Sequence, residues 1–238
     1  IALILGITAL IRPIPVRRSI FRMEIPVLLG SSLLMVFFLW NGTLTRFEGS
    51  VLLTLLLIYS MAVVRKSPMS FTKERSLNSG KPEPETPQET PKMVHMFLGV
   101  IAGLTLLLVG SKAMITGAVA LGEHLSLSHA VIGLSIVAIG TSLPELATAF
   151  VAALRKENEL ILGGIIGSNI MNILFILGVT AIIKPLGLES IQLMDLAIMI
   201  GLTLILWPFF YTGQRLCRKE GTFLLLVFAG YLFWLFVR

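Results

Sequence analysis

One acidic residue, Glu145, lies well inside an apolar segment, whereas the other carboxylates of the chain lie in polar loops or near the ends of apolar segments. A charge at the centre of a membrane helix costs about 2.5–3.5 kcal/mol on insertion scales, and residues that bear such a charge usually have a function. If this segment crosses a membrane, Glu145 is the first candidate for binding a cation.

The neighbours of Glu145 strengthen that interpretation. Pro144 has no N–H group, so the carbonyl of Gly140 loses its helical partner and the helix is predicted to kink. Thr141 and Ser142 place hydroxyl groups beside the kink, and Thr141 lies one helical turn before Glu145. A carboxylate, hydroxyls and a freed carbonyl are hard oxygen ligands, which suit calcium and sodium better than zinc or copper.

The next apolar segment contains a second polar set, in the sequence GGIIGSNIMN. Ser168 and Asn172 are four residues apart and therefore share one helix face. Small residues at Gly163, Gly164 and Gly167 predict a close approach of neighbouring helices. Polar side chains in membrane helices often only bond a neighbouring helix, and a proline kink can be only a kink. The combination of these features around a buried glutamate favours an ion site.

The composition indicates an integral membrane protein. The chain is 55% apolar and 13% charged with a mean hydropathy of +0.91, whereas ordinary chains contain about 25% charged residues. Each bilayer crossing needs roughly 20 mostly apolar residues. An apolar segment at residues 1–11 is followed by seven predicted spans: 25–40, 50–64, 94–121, 130–154, 160–183, 193–211 and 222–237. A single cysteine predicts neither a disulfide framework nor a cysteine-ligated metal.

Positive charge is distributed unevenly between alternate loops. Fifteen of the 19 Lys and Arg residues lie on one side, and only Arg46, Lys184 and Arg238 lie on the other. This bias marks the first side as cytoplasmic, so the net charge of +6 reflects membrane orientation rather than nucleic-acid binding. Residues 65–92, rich in Pro, Glu, Ser and Thr, are predicted to form a flexible cytoplasmic linker. The C-terminus is predicted to lie outside.

The sequence also repeats itself at an offset of 172 residues. IALILGITALIRPI at residues 1–14 matches ILFILGVTAIIKPL at residues 173–186 in eight of fourteen positions. Further on, Glu48 and Gly49 match Glu220 and Gly221. The two copies are predicted to run in opposite directions, which is typical of inverted-repeat transporters with a site near the membrane midplane. We therefore expect a preceding segment that completes the first half.

The two motifs GTSLPEL and GSNIMNILFILG resemble the second α-repeat of the sodium/calcium exchanger family, the calcium/cation antiporters. They stand in the order and separation of that family, in adjacent predicted spans. The resemblance implies an all-α membrane fold of ten spans in two inverted halves. On this basis residues 1–64 are the last part of the first repeat, residues 65–92 are the linker, and residues 93–238 are the complete second repeat, with its α-repeat at about 131–178.

The resemblance also implies functions for single residues. Glu145 would be one of two carboxylates that hold calcium. Thr141 and Ser142 would add hydroxyl or carbonyl oxygens to the calcium and sodium sites, and Ala138 would offer its backbone carbonyl to sodium.

The helix with the second motif would line the same site through Ser168 and Asn172. Some members of the family have an acid at the position of Asn172, and potassium-dependent members use it. The neutral Asn172 therefore favours exchange without potassium. The family often has Asn where this chain has Gly164, so the arrangement at that helix end stays open.

These observations predict a bacterial-type antiporter of the inner membrane that exchanges sodium for calcium by alternating access, with the span that contains Lys112 sliding past a fixed core. Calcium and sodium would be the transported substrates. We expect no cofactor, no nucleic-acid partner and, for the full-length protein, a monomer surrounded by membrane lipid. The sequence offers no nucleophile–base set for an enzyme. Three alternatives stay open: an exchanger in which protonation empties Glu145, a cation channel, and a membrane scaffold.

Overall fold

The computed structural model describes residues 1–16, 20–66, 93–126, 131–187, 192–213 and 215–237. These residues are almost entirely helical. The α-helices are α1 (Ala2–Ile11), α2 (Ile25–Phe38), α3 (Arg46–Lys66), α4 (Met93–His124), α5 (Ala138–Thr141), α6 (Leu143–Arg155), α7 (Asn158–Met171), α8 (Gly178–Ile183), α9 (Leu193–Gly213) and α10 (Arg218–Val237). Other helical segments extend or join them: the π-helical Ile20–Glu24, Ile132–Val137 and Asn172–Leu177, and the 3-10 segment Leu39–Asn41.

The number of apolar helices agrees with the predicted spans. Six described helices are long and apolar enough to cross a membrane, and Ile132–Thr141 together with Leu143–Arg155 forms a seventh, bent span. α1 is a shorter apolar helix. The all-α membrane fold is therefore confirmed. The last span begins earlier than predicted, at Arg218, because the polar first turn of α10 belongs to the helix.

Four two-residue strands join the two predicted halves. β1 (Ile14–Pro15) pairs antiparallel with β4 (Arg215–Leu216), and β2 (Thr43–Leu44) pairs antiparallel with β3 (Leu186–Gly187). The repeat offset of 172 residues relates β1 to β3 and β2 to β4. The two strand pairs are therefore equivalent under the repeat, and each contains one strand from either half.

The helices exchange partners in the same way. α1 packs along α10, and α8 packs along α3. A Cβ on Gly221 would lie 2.8 Å from the Cβ of Ala9 and 3.1 Å from the carbonyl oxygen of Gly6. A Cβ on Gly49 would lie 2.7 Å from the carbonyl oxygen of Gly178. The two contacts thus use equivalent glycines of the repeat, and such close backbone contact is a usual basis of helix association in membranes.

The N-termini of α3 and α10 have the same local structure. The N–H of Thr45 donates to Oε2 of Glu48 at 2.7 Å, and the N–H of Glu48 donates to Oγ1 of Thr45 at 3.3 Å, which completes a capping box. At the equivalent place, the N–H of Cys217 donates to Oε2 of Glu220 at 2.6 Å. In both copies of the Glu-Gly pair, the glutamate therefore caps the start of the helix, and the glycine allows close contact with another helix.

α4 is the most exposed of the described spans. In its apolar 18-residue stretch only 6% is buried, compared with 39% for the corresponding stretch of Asn158–Ile183. Its main contacts are with Ile132–Val137, α5 and α6. The main hydrophobic core contains no residue of α4 among its buried members. α4 therefore lies as a separate layer against the bent span.

The predicted close packing at Gly163, Gly164 and Gly167 is not made by the described residues and stays a prediction. No described atom comes within 4 Å of a Cβ built on any of the three. α7 packs instead through large buried side chains: Ile161, Leu162, Ile165, Ile166 and Ile170. Small residues permit a close contact, but here the helix face with the greatest apolar area lies elsewhere.

Basic residues lie at both strand pairs. Arg12 lies near β1 and Arg215 lies in β4, whereas Lys184 lies near β3 and Arg46 follows β2.

Residues 67–92 of the predicted linker lie outside the described residues. The flexibility and location of the linker, and the division of the chain at residues 65–92, stay predictions.

The glycine contacts predict a stability difference. Gly221→Ala would place a methyl group 2.8 Å from the Cβ of Ala9, and overpacking of this kind costs about 1–3 kcal/mol. We expect a lower midpoint of thermal unfolding for the purified protein in detergent. Gly230→Ala is the matched control, because it adds the same group to α10 where no described atom lies within 4 Å. Equal midpoints for the two variants would contradict the α1–α10 contact.

Candidate ion-binding site

The bent span breaks at Ser142. α5 ends at Thr141, α6 begins at Leu143, and the two parts of the span make an angle of 42°. The N–H of Ser142 donates to the carbonyl of Ile139 at 3.0 Å, an i to i−3 bond that is tighter than the α-helical pattern. Pro144 lies in the first turn of α6, where its missing N–H would have no helical partner. The span therefore consists of two helices that meet beside the proline.

Glu145 lies in the first turn of α6. Its Oε2 is buried, and no donor among the described residues bonds it. α1 packs against α6, which contains Glu145. A helix N-terminus stabilises a negative charge by about 0.3–1 kcal/mol, whereas burying an unpaired ion costs several kcal/mol. Among the described residues, Oε2 of Glu145 is therefore a buried acceptor without a hydrogen-bond donor.

The hydroxyl groups beside Glu145 donate to their own helix. Oγ1 of Thr141 donates to the carbonyls of Val137 at 3.0 Å and Ala138 at 3.1 Å. Oγ of Ser142 donates to the carbonyl of Ala138 at 2.9 Å. Since both protons are used within the helix, the oxygen lone pairs of the two hydroxyls are available for a cation.

The carbonyl of Gly140 is not free for an ion, contrary to the sequence-based expectation. Pro144 leaves it without a helical donor, but the hydroxyl of Ser111 in α4 donates to it at 2.7 Å. Ile115, one turn further along α4, packs so closely that a Cβ on Gly140 would lie 2.5 Å from its Cγ1. The exposed helix α4 therefore contacts the break itself, through a serine that sequence analysis missed.

A cavity of about 360 Å³ lies between the break, α7 and the helices α1, α2, α9 and α10. Three of the predicted site residues line it: Ala138, Ser142 and Asn172. Three others are described but are not among the lining residues: Thr141, Glu145 and Ser168. Thr141 and Glu145 belong to different helices, so the four-residue spacing that placed them on one helix face does not apply across the break.

Asn169 is a cavity residue that sequence analysis did not choose. Its Nδ2 donates to the carbonyl of Ile165 at 2.7 Å, and its side chain lines the cavity with that of Asn172. Oγ of Ser168 also donates to Ile165, at 3.1 Å. The helix becomes π-helical at Asn172, which changes the side chains that share a face. The three-residue spacing of Asn169 and Asn172 is the signal that could have identified the pair.

The opposite wall of the cavity has a polar group of its own. Asp195, which is 9% exposed, accepts hydrogen bonds from the hydroxyl of Tyr231 and from the N–H of Gln192, both at 2.9 Å. The bond from Gln192 caps the start of α9. Asp195 and Tyr231 line the cavity together with Ser32 and Thr203. The cavity is therefore polar on two sides although most of its lining is apolar.

The oxygen groups around Glu145 differ from a resident metal centre. Among the described residues, no group of three or more His, Cys, Asp or Glu side chains is arranged to hold a metal. One carboxylate with hydroxyl, amide and carbonyl oxygens is a weaker set of ligands, and the affinity for calcium falls with the number of charged ligands.

Known proteins with similar sequences and structures are membrane exchangers. Residues 1–65 and 95–237 match the profile of the family described as sodium/calcium exchanger protein. A protein of Alkalimonas amylolytica described as a candidate antiporter, CaxA, is 38% identical over 240 residues, which cover 99% of this chain and 74% of that protein. The Escherichia coli inner membrane protein YrbG is 34% identical over 186 residues, which cover 78% of this chain and 57% of YrbG.

The fold gives the same result. A solved structure of the sodium-calcium exchanger NCX_Mj aligns with a TM-score of 0.72 at 28% identity, and the alignment covers 96% of this chain and 69% of that one. The family and the fold are those of multi-pass membrane transporters that exchange cations, calcium among them, and not those of enzymes. This chain belongs to the sodium/calcium exchanger family.

Proposed function

We propose that the complete protein exchanges sodium for calcium across the membrane and that Glu145 is the carboxylate that binds the transported cation. The observation that carries this proposal is the buried Oε2 of Glu145, to which no described residue donates. A cation at this oxygen would remove the cost of the unpaired charge. Calcium and sodium prefer carboxylate, hydroxyl and carbonyl oxygens, which are the groups that the proposed ligands offer.

The remaining ligands in this proposal come from both sides of the break and from the helix that contains α7. Thr141 and Ser142 offer hydroxyl oxygens, and Ala138 offers its carbonyl, which now accepts hydroxyl protons. Asn172 and Ser168 contribute from the facing helix. Sodium and calcium compete for these oxygens, so the binding of one releases the other and no covalent step is needed.

In this proposal, α4 is the helix that moves during alternating access. This helix has little buried surface and contacts mainly the bent span, whereas α1, α3, α8 and α10 are tied together by glycine contacts between the halves. A segment with few buried contacts moves at a lower free-energy cost than one in the core. We therefore assign the fixed part to the exchanged helix pairs and the sliding part to α4.

The location and orientation belong to the same proposal. The name of YrbG supports an inner membrane, and the distribution of basic residues supports a cytoplasmic linker at 65–92 and a C-terminus outside. The neutral side chain of Asn172 supports exchange without potassium. The proposed ligands all belong to one chain, which supports a monomer.

A proton-coupled exchanger is the second candidate, and the same oxygen favours it. A proton on Oε2 of Glu145 would also give this buried oxygen a partner in place of a cation. In that case protons displace calcium, and the hydroxyls of Thr141 and Ser142 have no function in binding sodium. The driving ion distinguishes the two candidates.

The deciding experiment uses proteoliposomes that contain the complete gene product. We expect an outward sodium gradient to drive the uptake of labelled calcium, in the presence or absence of potassium, and Glu145→Gln to abolish it. The matched control is Glu157→Gln, which changes an exposed glutamate just beyond α6. Uptake driven only by a proton gradient would select the second candidate. Flux that needs no counter-ion would contradict both and indicate a channel.

A further inference from the structure

Ser111 connects the exposed helix α4 to the break of the bent span. Its hydroxyl donates to the carbonyl of Gly140 at 2.7 Å, and the residue is 9% exposed. Gly140 directly precedes Thr141 and Ser142, whose oxygens belong to the candidate site. The serine therefore occupies the carbonyl that Pro144 leaves without a donor, at the point where the span changes direction.

This hydrogen bond is available in only one register of α4. A helical turn spans about 5.4 Å, and the residues one turn from Ser111 in either direction are all apolar: Leu107, Leu108, Met114 and Ile115. None of their side chains can donate a hydrogen bond. If α4 moves by one turn along the bent span, the carbonyl of Gly140 loses its donor.

Ile115 determines the same register by its shape. A Cβ on Gly140 would lie 2.5 Å from Cγ1 of Ile115, so the glycine gives this side chain the space in which it packs. A polar and an apolar contact from α4 thus meet at one residue. Since α4 contacts mainly the bent span, both contacts lie in its principal described interface.

We propose that Ser111 is a positioning residue, which holds α4 in one of two registers and so sets the relative populations of the states open to the two sides of the membrane. This inference rests on the exchange function proposed above. In the register described here, Ser111 satisfies the carbonyl of Gly140. When α4 slides, the carbonyl is released beside Thr141 and Ser142, where it gains access to the cation or to water.

Loss of the Ser111 hydroxyl would destabilise only the state in which this hydroxyl donates to the carbonyl of Gly140. A hydrogen bond of this kind corresponds to about tenfold in an equilibrium constant, so Ser111→Ala would shift the populations toward the other register. The apparent affinity of an ion falls with the population of the state that binds it. We therefore expect the apparent calcium affinity to fall on the side to which the present register opens, and not on the other. Simple structural damage would weaken transport from both sides alike.

The first test measures the calcium KM of the complete protein in right-side-out and in inside-out vesicles. For Ser111→Ala we expect the ratio of the two KM values to change by about tenfold, and for Ser111→Thr, which keeps the hydroxyl, to stay near the wild-type value. Ser135→Ala is the matched control, because its buried hydroxyl donates within its own helix, to the carbonyl of Val131. An unchanged ratio in Ser111→Ala, or the same change in Ser135→Ala, would overturn the proposal.

A second test does not depend on the transported ion. In a background in which the native cysteines, including Cys217, are replaced by serine, Glu123→Cys reports the position of α4 through its reaction with a membrane-impermeant thiol reagent. Glu123 is an exposed polar residue in the last turn of α4, at the end of the span. We expect Ser111→Ala to change the reaction rate by about threefold or more, because thiol reactivity follows exposure, and Ser111→Thr to leave it unchanged.

The two tests distinguish the inference from the function on which it rests. An altered labelling rate in a protein without calcium flux would retain the positioning role and reject calcium exchange. Calcium flux with the same labelling rate in all variants would retain exchange and reject the role of Ser111.

Discussion

The negative charge of Glu145 inside an apolar span is the constraint on which the candidate site depends. The break at Ser142 places this carboxylate at a helix N-terminus, and the hydroxyls of Thr141 and Ser142 donate to carbonyls of the preceding helical segment. The N-terminus contributes about 0.3–1 kcal/mol, less than the several kcal/mol that an unpaired buried ion costs. The difference is the free energy that a bound cation can recover. A site left partly unsatisfied by the protein suits transport, because the ion must also leave.

The contacts between the repeats divide the described helices into a closely joined frame and one exposed helix. Two strand pairs and two glycine contacts join the halves in equivalent places, and each combines an element of one half with a non-equivalent element of the other. These contacts connect α1 to α10 and α3 to α8. α4 is outside this frame and meets the break through Ser111 and Ile115. The ion site and the exposed helix thus share one contact, at Gly140.

The fold could be predicted because hydropathy over some 20 residues is a strong signal. The region of the candidate site could be proposed because a glutamate in an apolar span is rare. Other features depend on contacts that have no local signal. Ser111 is a lone serine in an apolar helix, and its partner Gly140 is 29 residues away. Asn169 lines the cavity three residues before Asn172, where the helix changes to a π-helical form. Gly164 and its neighbouring glycines could pack closely by size, but tertiary structure places no described atom against them.

Thermal unfolding of the complete protein tests most directly whether a bound cation stabilises the buried carboxylate of Glu145. Glu145→Gln and the exposed control Glu157→Gln would be compared with the wild type, with and without calcium. We predict that Glu145→Gln alone is more stable than the wild type without calcium. Calcium at 100 times its Kd should stabilise the wild type and Glu157→Gln by about 2.7 kcal/mol, and Glu145→Gln not at all. Equal stabilisation of all three proteins by calcium would contradict the account.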